Sequence, residues 1–198
     1  MNTRTVTALF SAASLVALAA GATACKEAAA KTQGVGDNLR AFVIKNCEDG
    51  KRYCQVCAYG GRPTLMTIAD LDDDGVEKDL QEMEKLLAAN KDKGLTAFAL
   101  FGHMKTGKFV AVSDDDAATK KLAEMKKRLG LSFPLTIVPS QLTEKEQKSY
   151  MPFDAQYAVG KSRTLFAAAS DNEVFYADVM TGDAKQYEKL AAKLKEKL

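Results

Sequence analysis

The chain has little net charge and little histidine. Its formal charge is +2, which excludes recognition of nucleic acid by charge. Beyond residue 24 no apolar run approaches the roughly 20 residues needed to cross a bilayer. His103 is the single histidine, so any metal set could draw on one imidazole only. No internal repeat is present, and the charge-rich helical stretches read as solvated faces.

What is there begins with a targeting signal. Arg4 is followed by an uncharged stretch from Thr5 to Ala24, rich in Ala, Leu and Val and ending in Ala22-Thr23-Ala24 before Cys25. A short positive region, an apolar core and small residues at a cut site predict a secretory signal peptide over residues 1–24. Cys25 stands where a lipoprotein peptidase would leave a lipid-modified cysteine, although Ala22 replaces the usual Leu three residues earlier. A lipid there would tether the protein to a membrane without a spanning helix. A polar tether over 25–38 and one domain over 39–198 complete the expected organisation. The expected location is the periplasm or outer cell envelope, where disulfides persist.

Along the domain, Ala41 to Ile44 and Tyr53 to Ala58 are expected to pair as a hairpin around Asp49-Gly50. Thr64 to Ala69 reads as a buried strand. Val76, Leu80, Met83, Leu86 and Leu87 mark one face of a helix, with Gly94 as its end. Leu95 to Phe101 has the near-continuous apolar character of a central strand. A second helix starts at Ser113 to Asp116, with Leu122, Met125 and Leu129 inward and Gly130 at its close. Leu135 to Val138 is a short strand, and Thr143 to Glu146 opens a short helix with a capping box. Thr164 to Ala169 and Val174 to Met180 form a hairpin. Asp183 caps a last helix with Tyr187, Leu190, Leu194 and Leu198 inward.

Strand and helix alternate, and a closing hairpin adds an antiparallel edge. The predicted class is therefore α/β, a mixed central sheet flanked by helices. This order resembles the thioredoxin-like fold, in the redoxin branch of TlpA-like and peroxiredoxin-like proteins, which carries an N-terminal β-hairpin and an inserted strand and helix. Val35-Gly36-Asp37 and Gly50-Lys51 stand where that branch often has similar residues, and the resemblance spans about Val35 to Leu198. Cys54-x-x-Cys57-x-Tyr59-Gly60-x-Arg62-Pro63 also resembles a group of exported thioredoxin-like proteins. The resemblance implies a cysteine pair at the helix start after the first core strand and a cis-proline before the penultimate strand. This sequence has Asp70 to Asp74 and Arg163 at those places, so those residue roles do not carry over.

Chemistry therefore rests on the displaced Cys54-Gln55-Val56-Cys57. As a thiol-exchange site, Cys54 would attack a partner disulfide and Cys57 would resolve it, with Lys51, Arg52 and Arg62 near in sequence to stabilise a thiolate. The partners would be thiols or disulfides of envelope proteins, and no cofactor is expected. Two alternatives stand beside this. Cys47, Cys54, Cys57 and His103 form a tetrahedral zinc set, or fewer thiolates hold copper. Otherwise the cysteines form a structural bridge in a non-catalytic binding module. Ala58 after the motif argues against haem attachment. Asp70-x-Asp72-x-Asp74-Gly75 matches the opening of a calcium loop, but Gln81 stands where the bidentate Glu is required.

Overall fold

A computed structural model describes residues 33–198; the expected signal peptide and Cys25 lie outside these residues. Eight strands and six helices follow one another as β1 (Ile44–Asn46), β2 (Arg52–Tyr53), α1 (Gln55–Ala58), β3 (Thr64–Asp70), α2 (Val76–Ala89), β4 (Thr96–Lys105), β5 (Lys108–Val110), α3 (Asp115–Leu129), β6 (Leu135–Ile137), α4 (Glu144–Ser149), α5 (Phe153–Gln156), β7 (Thr164–Ala168), β8 (Val174–Val179) and α6 (Ala184–Lys197). The sheet order is β2-β1-β6-β4-β3-β7-β8, with β5 paired to the far end of β4. The inner pairs β3–β4 and β4–β6 are parallel, whereas β7–β8 and β1–β2 are antiparallel hairpins at the two edges. The mixed sheet expected from the alternation is the sheet observed.

Alternation along the central strands divides the core into two layers, because successive side chains point to opposite faces. Leu65, Ala97, Ala99, Phe101 and Leu135 face the stripes of α2, α3 and α6, where Leu80, Leu122, Leu190 and Leu194 are fully buried. Met66, Ile68, Phe98, Leu100 and Phe166 face the other way, against Leu39, Phe42, Val56 and Phe153. The second layer is rich in aromatic rings: Phe42 meets Phe153 and Tyr157 edge-on at centroid distances of 4.9 and 5.4 Å. Such pairs add about 0.5–1.5 kcal/mol each beyond the area they bury.

Three local features differ from the sequence expectation. The stretch from Tyr53 to Ala58 is not a return strand: pairing stops at Tyr53 and one helical turn, α1, follows. A strand would hold Cys54 and Cys57 about 10 Å apart, too far for a disulfide, while one helical turn brings their Cα atoms to 5.2 Å. Helix α2, expected to run to Gly94, ends at Ala89, and a 3₁₀ turn over Lys91–Lys93 intervenes before left-handed Gly94. Strand β4 runs on to Lys105, because it folds back onto β5. Gly102 permits this: a Cβ there would lie 2.6 Å from the Phe109 ring and collide with the carbonyl of Val110.

The last part of the expected tether is held to the domain. Gly36 N–H donates to Val174 O at 2.8 Å, Asn38 bridges Glu173, and the Gln33 side chain is buried and donates to Gln156 O. Among the described residues no helix is long and apolar enough to cross a membrane.

Candidate functional site

Cys54 and Cys57 form a disulfide, and Cys47 is a free, buried thiol. The pair sits on α1, between the N-terminal hairpin and the start of β3. Cys54 is the N-cap residue: its backbone is extended, and its sulfur accepts a hydrogen bond from Cys57 N–H at 3.0 Å. A side-chain acceptor at this position satisfies one of the open N–H groups of a helix start. The two sulfurs belong to unlike surroundings. Cys54 is 4% exposed and packs in the aromatic layer with Phe42, Ile44 and Met66, whereas Cys57 lies on the exposed face of the turn.

The turn is anchored independently of the disulfide. Tyr59 packs edge-on against Phe98 at 6.1 Å, and its hydroxyl donates to Ala97 O at 3.0 Å. Burial pushes the Tyr59 phenol up to about 12. Of the three cations near in sequence, Lys51 is bound to Asp49 at 3.0 Å and Arg52 makes a bidentate pair with Glu146 at 2.9 and 2.6 Å. Arg62 remains at the motif, with its guanidinium 5.2 Å from the Tyr59 ring centre and 3.4 Å from Ala58 O.

The residues of the metal set are not brought together. Cys47 belongs to the helix-covered layer and Cys54 to the aromatic layer, so the sheet stands between them. Burial, reinforced by Glu48, pushes the Cys47 thiol up to about 11, which keeps the free thiol protonated at neutral pH. His103 lies beside Gly102, which pairs with Asp70 where β3 ends, while the cysteine pair precedes the start of β3. A seven-residue strand separates the two places by about 20 Å.

At that far edge His103 Nδ1 lies 3.7 Å from both Asp70 and Asp72, the one grouping with ligand-like spacing among the described residues. Its carboxylates already have partners. Asp70 accepts from Met104 N–H at 2.5 Å and Asp72 N–H at 2.9 Å, and the Lys121 ammonium binds Asp72 at 2.8 Å and Leu71 O at 2.9 Å. A lysine thus already pairs with one carboxylate of this grouping.

The loop before β7 is trans throughout, like every described peptide bond. Arg163 there takes a left-handed φ of 62° and reaches over the start of α2, where Nε and Nη2 donate to Asp79 at 2.5 and 2.8 Å. Asp79 is fully buried and also accepts from the Tyr187 hydroxyl. The Asp79–Arg163–Tyr187 cluster was not singled out from the sequence. Its only signal was an acid, Asp79, beside the inward position Leu80 of an amphipathic helix.

The fold is thioredoxin-like. The chain is similar to a provisionally assigned protein disulfide isomerase from Bacteroides thetaiotaomicron, at TM-score 0.60 and 14% identity, covering 83% of this chain and 90% of that one. It is similar to a thiol peroxidase from Chromobacterium violaceum, at TM-score 0.57 and 16% identity, covering 84% and 89%. It also matches a thiol:disulfide interchange protein of the thioredoxin family from Chlorobium tepidum, at TM-score 0.56 and 10% identity, covering 84% and 99%. No family profile and no curated protein matches the chain.

Proposed function

We propose that the protein carries out thiol–disulfide exchange with protein thiols or disulfides of the cell envelope, through Cys54 and Cys57, after export directed by residues 1–24. The observation that carries this reading is the disulfide on a helical turn with one cysteine exposed. A bridge that closes so short a loop adds about 2 kcal/mol in the chain-entropy estimate, and longer loops add more. The turn also has its own anchor in Tyr59. The pair is therefore better suited to reaction than to holding the fold. The named functions of the similar structures, disulfide isomerase and disulfide interchange, support the same chemistry. Cys25 would add a lipid tether.

The test uses the mature chain and a dithiol peptide. Oxidised protein is expected to convert the peptide to its disulfide with one-to-one reduction of the Cys54–Cys57 bond, and a variant with both cysteines changed to Ser should leave the peptide reduced. Equal conversion by that variant, or none by the native chain, overturns the proposal. Export is tested by intact mass: protein from the envelope should begin at Cys25 with a lipid adduct, and retention of Met1 refutes the signal.

A further inference from the structure

We infer that Cys57, the second cysteine of the motif, is the sulfur that exchanges with partners, and that Cys54 is the internal sulfur that leaves and returns. The inference rests on the exchange reading above and reverses the order of roles expected from sequence alone. Exchange is a displacement in which the incoming thiolate, the attacked sulfur and the leaving sulfur lie close to one line. An attack on Cys57 comes from the side away from Cys54. Cys57 is on the exposed face of α1, and the neighbours Ala58, Gly60 and Gly61 are also exposed and small. An attack on Cys54 would have to reach a residue only 4% exposed, set in the buried layer that also holds Phe42, Ile44 and Met66.

The leaving sulfur is also provided for. As the Cys54–Cys57 bond breaks, its electron pair goes to Cys54 Sγ, which already accepts the Cys57 N–H at 3.0 Å. A thiolate there converts a neutral hydrogen bond into a charge-assisted one. Among the described residues no group donates to the Cys57 sulfur.

The steps balance in both directions. When the oxidised pair accepts electrons, a partner thiolate bonds to Cys57 Sγ and Cys54 leaves as thiolate. A second partner thiolate then attacks the partner sulfur of this mixed disulfide and releases Cys57 as thiolate; the partner is oxidised and the pair takes up two protons. When the reduced pair donates electrons, Cys57 thiolate attacks the partner disulfide and releases one partner thiolate. Cys54 thiolate then attacks Cys57 Sγ, re-forms the internal bond and releases the second.

Reduced glutathione is the probe. Oxidised mature protein is pulsed with it, quenched with acid and maleimide, and mapped by fragment ions between Cys54 and Cys57. Glutathione is expected on Cys57 and maleimide on Cys54, at least ten-fold over the opposite arrangement. Because an adduct could migrate between neighbouring sulfurs, C54S and C57S are also reacted with an anionic aromatic disulfide. The lone Cys57 of C54S should react at least ten-fold faster than the lone Cys54 of C57S. Glutathione chiefly on Cys54, or equal or reversed rates in the two variants, overturns the assignment while leaving exchange intact. Folded protein that forms no adduct on either sulfur overturns the exchange reading itself.

Discussion

The hydroxyl of Tyr59 donates to the carbonyl of Ala97 at 3.0 Å, and this bond ties the cysteine turn to the second residue of the central strand β4. It involves neither sulfur, so it persists whichever redox state the pair is in. Together with the contact to Phe98, it lets α1 keep its place when the disulfide opens. Tyr59→Phe keeps the ring and removes the hydrogen bond. The expected loss is about 0.5–1.5 kcal/mol of stability, and it should be larger in the reduced protein, where the turn has lost its other tie. Denaturant melts of both redox forms check this; equal losses in the two would show that Tyr59 does not share the anchoring.

Arg163 and Asp79 give the second prediction. Asp79 is fully buried, and its charge is met by the Arg163 guanidinium and the Tyr187 hydroxyl. The pairing raises the Arg163 guanidinium above its already high ordinary value, so the arginine stays charged at any working pH. Arg163→Ala leaves a buried carboxylate without its cation, at a cost of about 3–5 kcal/mol. Arg163→Ala with Asp79→Asn should recover part of that loss, as thermal melts of the single and double variants would record.

The third prediction concerns alkaline pH. Burial raises the Cys47 thiol from 9.0 to about 11. A group whose folded value lies above its unfolded value holds its proton more tightly in the folded chain. Its stabilising effect is complete below pH 9 and is lost as pH rises toward 11. Tyr59 and Tyr176, both pushed up to about 12 by burial, act in the same direction from their ordinary value of 10 upward. Cys47 therefore begins to act about a unit lower in pH than the tyrosines, whose share grows as pH approaches 10. Melting temperature should fall between pH 9 and 10 in the native chain and fall less steeply in Cys47→Ala. An unchanged slope in the variant would contradict the burial of this thiol.

The parts of the fold legible in the sequence were those with a strong period. The stripe from Val76 to Leu87 and the apolar run from Leu95 to Phe101 gave α2 and the centre of β4, and the hairpin of β7 and β8 followed from the two runs Thr164 to Ala169 and Val174 to Met180. Short elements carried no period: β5 has three residues and α5 four. Both are set by tertiary packing, β5 by pairing with β4 and α5 by the stacking of Phe153 on Tyr157 at 4.8 Å. The turn at Cys54 was legible in principle, since a disulfide between residues three apart cannot be made from a strand. It was masked by the β-forming Tyr53 and Val56. The separation of Cys47 from the pair was not legible, because the hairpin turn and β2 lie between them and the two cysteines fall on opposite faces of the sheet. Nor could spacing alone tell which cysteine is exposed.

The central claim is that the Cys54–Cys57 bond works as a reactive pair on a fold that does not need it. The direct measurement is a redox titration of the mature chain in graded thiol buffers, with circular dichroism and alkylation counts taken from the same samples. Reversible conversion of one disulfide to two thiols is expected at a potential above about −300 mV, the value below which structural disulfides of secreted proteins fall. The spectrum should not change, and Cys47 should stay unlabelled until the chain is denatured. Loss of helical signal in step with reduction, or a bond that resists reduction well below that potential, would contradict the claim.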